Sequence, residues 1–279
     1  MSVKIVIDST ADLPSEVVQK YGLTVVPLHI HFGHETFEDG VDITNDQFYR
    51  RLMSEHHLPK TSAPSAGAFE EAYERLSKET DEILSLHISH RLSATYNSAV
   101  MGKDRMGDKS HISVIDTLST SMGLALLTIR AAEKARAGAT LDELTADINS
   151  ALLRTRFFGV VDTLEYLYKG GRIGGATAFL GSLLRVKPIV GLRDGLVHPI
   201  ERARSLQKAI DRLCEMAASY KNLSGLAVAH TTSADDEERL IAQLSQFMPK
   251  DRILRSRVGA TIGTYLGPGS LTVGLIEGE

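Results

Sequence analysis

The chain has 279 residues, 43% of them hydrophobic and 24% charged, and a net charge of −4. This is the profile of an ordinary globular protein long enough for two domains; it excludes a nucleic-acid binder working through a strong basic field, and no apolar run approaches the roughly 18–20 residues of a membrane span. Sequence resembling a signal peptide is absent, and Cys214 is the only cysteine, so no intrachain disulfide can form and a reducing, cytoplasmic location is expected.

Strand and helix patterns alternate through the first half. Val3–Ile7 is a short apolar strand; Pro14 opens a helix to Tyr21, which Gly22 ends. Thr24–Phe32 reads as a second strand, and Thr44 with Gln47 forms a capping box ahead of a helix bearing Phe48, Leu52 and Met53. A helix over Ala66–Lys78 follows Pro64, Ile83–Ile88 is a third strand, a helix starts near Thr95, and Val114–Ile115 ends a fourth strand at Asp116. Helices over Met122–Ala137 and from a Thr140 cap, with Glu143 three residues on, complete this half. Strands separated by helices predict a parallel sheet with right-handed crossovers.

The second half reads differently. Phe157–Val161 is a strand leading into a helical TLEYLYK broken by paired glycines. Val186–Leu192 and Leu196–Ala203 flank Asp194-Gly195, a hairpin signal. A helix from Leu206, a strand over Leu226–His230, a helix from Ser233 bearing Leu240, Ile241, Leu244 and Phe247, and strands over Ile253–Val258 and Leu271–Ile276 finish the chain. The expected fold class is α/β: an N-terminal three-layer domain with a mainly parallel sheet over 1–154, and a C-terminal α/β domain with a mixed sheet over 155–279.

Three polar stretches stand where a strand or loop turns into a helix: DSTADLP at 8–14, TSAPSAG at 61–67 and LSATYNSA at 92–99. Unpaired N–H groups and the helix dipole favour an anion at such turns. Helix capping is the competing reading, and on spacing alone it is the better one for Thr61 and Ser62. None sets a base beside a nucleophile, which points to holding a carboxylate or phosphate more than to catalysis. Asp8 and Asp12 could alternatively hold magnesium for a small-molecule kinase or phosphatase at the first domain's switch point. Lys169, Gly170, Gly171 and Arg172 form a basic loop; it follows a helix pattern instead of a strand, so it is not a dinucleotide fingerprint. Arg202 and Arg204 alternate at a strand end, and Tyr265 precedes a Gly267-Pro268-Gly269 turn. His29, His31 and His34 lack the spacing of a zinc motif, and no metal is expected.

Taken in order, DSTADLP, VDIT at 41–44, TSAPS, LSATYNSA, Asp116-Thr117, LEYLYKGGRIG, KPI at 187–189 and the GPG turn resemble the DegV family of bacterial proteins along the full chain. The resemblance implies a two-domain α/β fold that binds a long-chain fatty acid, such as palmitate, in an apolar tunnel. It implies a carrier without catalysis of its own, partnered by a separate fatty acid kinase that makes the acyl phosphate, with transient contact with membranes. Carried over by position, Thr61 and Ser93 would contact the carboxylate, Ser62, Arg204 and Tyr265 would be secondary contacts, and Arg172 would dock the partner. The family usually has histidine where this chain has Tyr265, and glycine where it has Ala94.

Overall fold

The computed structural model describes residues 3–55, 57–107, 110–179 and 186–278. Strand β1 (Lys4–Asp8) is followed by a 3-10 turn and helix α1 (Ser15–Tyr21), which Gly22 ends in the left-handed conformation. The single strand expected over Thr24–Phe32 is two. Pro27, lacking an N–H, stops β2 (Thr24–Val26), and the chain then starts β3 (His29–Phe32) in a different sheet. Strand β3 sits between β4 (Glu35–Glu38) and β5 (Lys60–Ser62), antiparallel to both. The Thr44–Gln47 capping box is present and starts α2 (Asn45–Ser54).

Next come α3 (Ala66–Leu76), β6 (Glu82–His87), α4 (Thr95–Met106) and β7 (His111–Asp116). The parallel sheet has the order β2-β1-β6-β7. Helix α5 (Ser121–Arg136) is followed by α6 (Leu141–Leu152), which opens on the expected Thr140–Glu143 capping box.

Strand β8 (Thr155–Val160), short helix α7 (Glu165–Lys169) and a 3-10 turn over Gly174–Phe179 begin the second half. Strands β9 (Lys187–Arg193) and β10 (Leu196–Ala203) form the hairpin; Asp194 and Gly195 both take positive φ, as a two-residue turn of this kind requires. Helix α8 (Leu206–Ala218), β11 (Leu223–His230), α9 (Ala234–Leu244), β12 (Leu254–Arg257), α10 (Ala260–Leu266) and β13 (Leu271–Glu277) follow. Phe247 was expected on the α9 stripe; the helix stops at Leu244 and Phe247 is exposed beyond it. The second sheet is mixed, in the order β10-β9-β8-β13-β11-β12. The fold is therefore α/β, with a parallel N-terminal and a mixed C-terminal sheet, as the sequence predicts.

Helices α3 and α4 cover one face of the parallel sheet through Phe69, Tyr73, Ala99 and Met106. Helices α8 and α9 cover one face of the mixed sheet through Ile210, Leu213, Leu240 and Ile241. Between the sheets lies α5, buried almost all round, as a helix with apolar groups on every side must be. One cluster joins Ile5, Ile7 and Leu86 of the parallel sheet to Leu124 and Leu127 of α5 and to Ala227, Ala229 and Ile276 of the mixed sheet. Gly274 of β13 makes this possible: a Cβ there would lie 2.5 Å from the backbone of Met122. Strand β8 starts at Thr155, but the core does not divide at that point. No described helix is long and apolar enough to cross a membrane.

Candidate functional site

The DSTADLP turn works inward. Asp8 accepts from Thr10 N at 3.0 Å, Thr10 Oγ1 at 2.5 Å and Ile88 N at 3.0 Å, and pairs with His87 Nδ1 at 3.0 Å. Asp12 accepts from Ser121 Oγ at 2.6 Å and Gly259 N at 2.9 Å. Asp39 accepts from Ala260 N at 3.1 Å, Thr261 N at 3.2 Å and Ser9 Oγ at 3.1 Å. Burial pushes the Asp12 and Asp39 carboxyls above their ordinary values, against these donors. The turn is thus a clamp on the start of α10, and the carboxyl oxygens of Asp8 and Asp12 are taken up by donors inside the fold. Among the described residues no group of three His, Cys, Asp or Glu side chains could hold a metal ion.

That clamp explains a helix the sequence hides. Residues 260–266 read ATIGTYL, with glycine, threonines and isoleucine, all weak helix formers. Carboxylates from two distant loops satisfy the first N–H groups and oppose the helix dipole. Helix α10 then carries Ile262, Tyr265 and Leu266 to the wall of a cavity of about 260 Å³ between the two sheets.

Apolar side chains from several elements line this cavity, among them Ile88, Phe157, Leu167, Val190 and Leu192. The polar groups come from β5, the turn before α4, the start of α5, and α10. Thr61 Oγ1 and Tyr265 OH are 2.5 Å apart, half-buried. The ring of Tyr265 packs on the Cα of Gly170, where a Cβ would lie 2.5 Å from Cδ1, which accounts for the glycine after Lys169. Arg172 lies over that ring, 5.1 Å from its centroid, and donates to Leu92 O at 3.2 Å and Gly170 O at 2.9 Å. Ser93 Oγ lies 2.8 Å from Thr95 Oγ1 and accepts from Thr95 N at 3.3 Å, one residue ahead of the N-cap Ala94, while lining the cavity.

Five of the six candidate residues meet here: Thr61, Ser62, Ser93, Arg172 and Tyr265. Their roles separate. Ser65, not Thr61 or Ser62, caps α3 by accepting from Ala68 N at 3.1 Å, which leaves Thr61 free of that duty. Adjacent strand residues face opposite ways, and Ser62 Oγ lies 2.9 Å from His31 Nε2, on the exposed side. Arg204, expected as a secondary contact, is not brought to this cavity. Edge strand β10 ends at Ala203 and Ser205 already caps α8 through Lys208 N, so Arg204 stands exposed in the turn between them, outside the cavity wall. Arg202 lies over Phe179 at 4.3 Å.

Sequence reasoning passed over Thr120. It precedes α5, is 4% exposed, lines the cavity, and its hydroxyl has no partner. A buried hydroxyl without a partner costs on the order of 1–3 kcal/mol, so its presence marks a place for a polar ligand atom. The signal was available in the run Ser119-Thr120-Ser121 before an apolar helix.

The DegV family model, described as an uncharacterised protein of that family, matches residues 2–278. A DegV domain-containing protein of Streptomyces coelicolor is 38% identical over 275 residues, covering 97% of each chain. A Thermus thermophilus structure described as a fatty-acid-binding DegV family protein superposes with a TM-score of 0.93 at 31% identity, over 99% of this chain and 100% of that one. A stearic-acid-binding protein of Eubacterium ventriosum superposes at 0.89 with 27% identity, over 99% of this chain and 98% of that one. A family match along almost the whole sequence, together with the S. coelicolor relative, establishes that the chain belongs to the DegV family.

Proposed function

We propose that this protein is a carrier for a long-chain fatty acid such as palmitate. The acyl chain lies along the apolar wall, and its carboxylate turns toward Thr61 and Ser93, with Tyr265 and the unpartnered Thr120 hydroxyl within the same cavity. The carrier presents that carboxylate to a separate fatty acid kinase for conversion to the acyl phosphate and has no catalytic activity of its own. The observation that carries the reading is one apolar cavity into which neutral hydroxyls project. The fatty acid binding described for the T. thermophilus relative and the stearic acid named for the E. ventriosum relative support it.

The energetics suit a carrier. Removing a sixteen-carbon tail from water gains about 0.8 kcal/mol per methylene, roughly 11 kcal/mol gross before the cost of association. A buried carboxylate without donors would cancel much of that; hydroxyls suffice to hold it. A direct salt bridge would cover the oxygen that has to attack a phosphoryl group, and Arg172, the only cation at this wall among the described residues, is already engaged with the Tyr265 ring and two carbonyls. Arg172 is exposed beside the cavity, and we assign it to docking the kinase. The alternative of a small-molecule kinase or phosphatase rested on Asp8 and Asp12, whose oxygens are taken up inside the fold.

Denaturing extraction of protein purified from a bacterial host, followed by mass spectrometry, tests the carrier reading. A long-chain fatty acid in stoichiometric amount is expected, and extracts free of fatty acid would overturn it.

A further inference from the structure

The mixed sheet is forked. Strands β8 and β9 pair only at Phe158–Gly191, Gly159–Val190 and Val160–Ile189. Beyond Phe158, residues Thr155–Phe157 of β8 pair with β13 alone, and Leu192–Arg193 of β9 pair with β10 alone. The two arms part, and the tip of the β9–β10 arm is tied to the loop after β6: Ser89 Oγ donates to Gly195 O at 2.9 Å and Arg91 Nη1 to Asp194 O at 3.2 Å.

A second cavity, of about 470 Å³, lies at this fork. It shares Phe157, Gly191 and Leu192 with the cavity described above. The loop before α5 borders both as well, with Ser119 on the second cavity and Thr120 on the first. The second cavity has an apolar side of Leu152, Phe158, Ile200 and Met216, and a polar side that includes Arg156, Arg193, Asp194 and His198. Leu118, Leu153 and Ile200 at its edge are exposed to solvent.

The geometry points to one continuous acyl site made of both cavities, with the methyl end of a long chain passing between the arms of the fork into the second. The inference rests on the fatty-acid reading and extends it to chain length. A carboxylate held by groups from β5, α10 and the turn before α4 sends its tail along the apolar wall, and that wall includes the residues common to both cavities. Phe157 and Leu192, which line both cavities, flank the passage in this arrangement. The outer cavity accepts methylenes that the inner one has no room for, so it determines the upper length limit of the ligand.

The test is equilibrium binding of free fatty acids from C14 to C22 to delipidated full-length protein, in the wild type, Met216→Trp and Ile200→Trp. Either tryptophan occupies the outer cavity from residues that do not line the inner one, and circular dichroism establishes which variant is folded. Wild-type affinity should keep rising by about fourfold per added methylene to a length at which the tryptophan variants level off or fall. Phe157→Ala should raise the ratio of C20 to C16 affinity. Identical length profiles in wild type and a folded tryptophan variant, with C16 still bound, would overturn the fork as an acyl passage while leaving the carrier reading intact. Absence of binding at every length would remove both.

Discussion

At the scale of single residues, similar sequence signals proved to mean different things. DSTADLP, TSAPS and LSATYNSA look alike as hydroxyl-rich stretches ahead of a helix. Which of them faces a cavity depends on where other parts of the chain arrive, and that is not local information. Asp12 meets Gly259, and Thr61 meets Tyr265, across more than two hundred positions. Asp12 also carries a pH signature. Burial raises its carboxyl well above the ordinary value, so the folded protein holds that proton more tightly than the unfolded chain does. Its contribution to stability is therefore full below about pH 3.9 and is lost as pH rises through the raised value. Melting temperatures of wild type and Asp12→Asn across the acidic range should show the wild type losing stability relative to the variant as pH rises from about 4. A difference independent of pH would contradict a raised Asp12 carboxyl.

At the scale of elements, the helices with strong caps and apolar stripes were legible. Both capping boxes and the Asp194-Gly195 hairpin stand where the sequence puts them. Helix α10 was not, because its stability comes from Asp12 and Asp39 and not from its own residues. Strand β5 was missed for a related reason: three residues, KTS, carry no period and are strand only because β3 lies beside them. The dependence of α10 on its clamp predicts the outcome of Asp39→Ala. Two helix-start N–H groups and the Ser9 hydroxyl would lose their acceptor in a buried site, at a cost on the order of 3 kcal/mol. Chemical denaturation should register that loss, and palmitate affinity should fall with it because Tyr265 and Leu266 ride on the same helix. Unchanged stability in Asp39→Ala would show that α10 stands without the clamp.

At the scale of the whole molecule, strand membership changes near residue 154 but the core does not. Helix α5 is buried against both sheets, and a single cluster runs from Ile5 to Ile276. Composition could not reveal this, since the helix is an ordinary apolar segment in either half. We propose that residues 1–154 and 155–279 fold as one cooperative unit; calorimetry of the full chain should give one transition with matching calorimetric and van't Hoff enthalpies. Two resolved transitions would mean that the halves are stable alone. The shared core places the cavity between the sheets, and the account as a whole depends on what its polar end holds. The most direct test is palmitate affinity of the Thr61→Ala, Ser93→Ala double variant against the wild type. Loss of two hydrogen bonds to a carboxylate should weaken binding on the order of a hundredfold, whereas affinity within about twofold of the wild type would contradict the assignment of the head group to this end of the cavity.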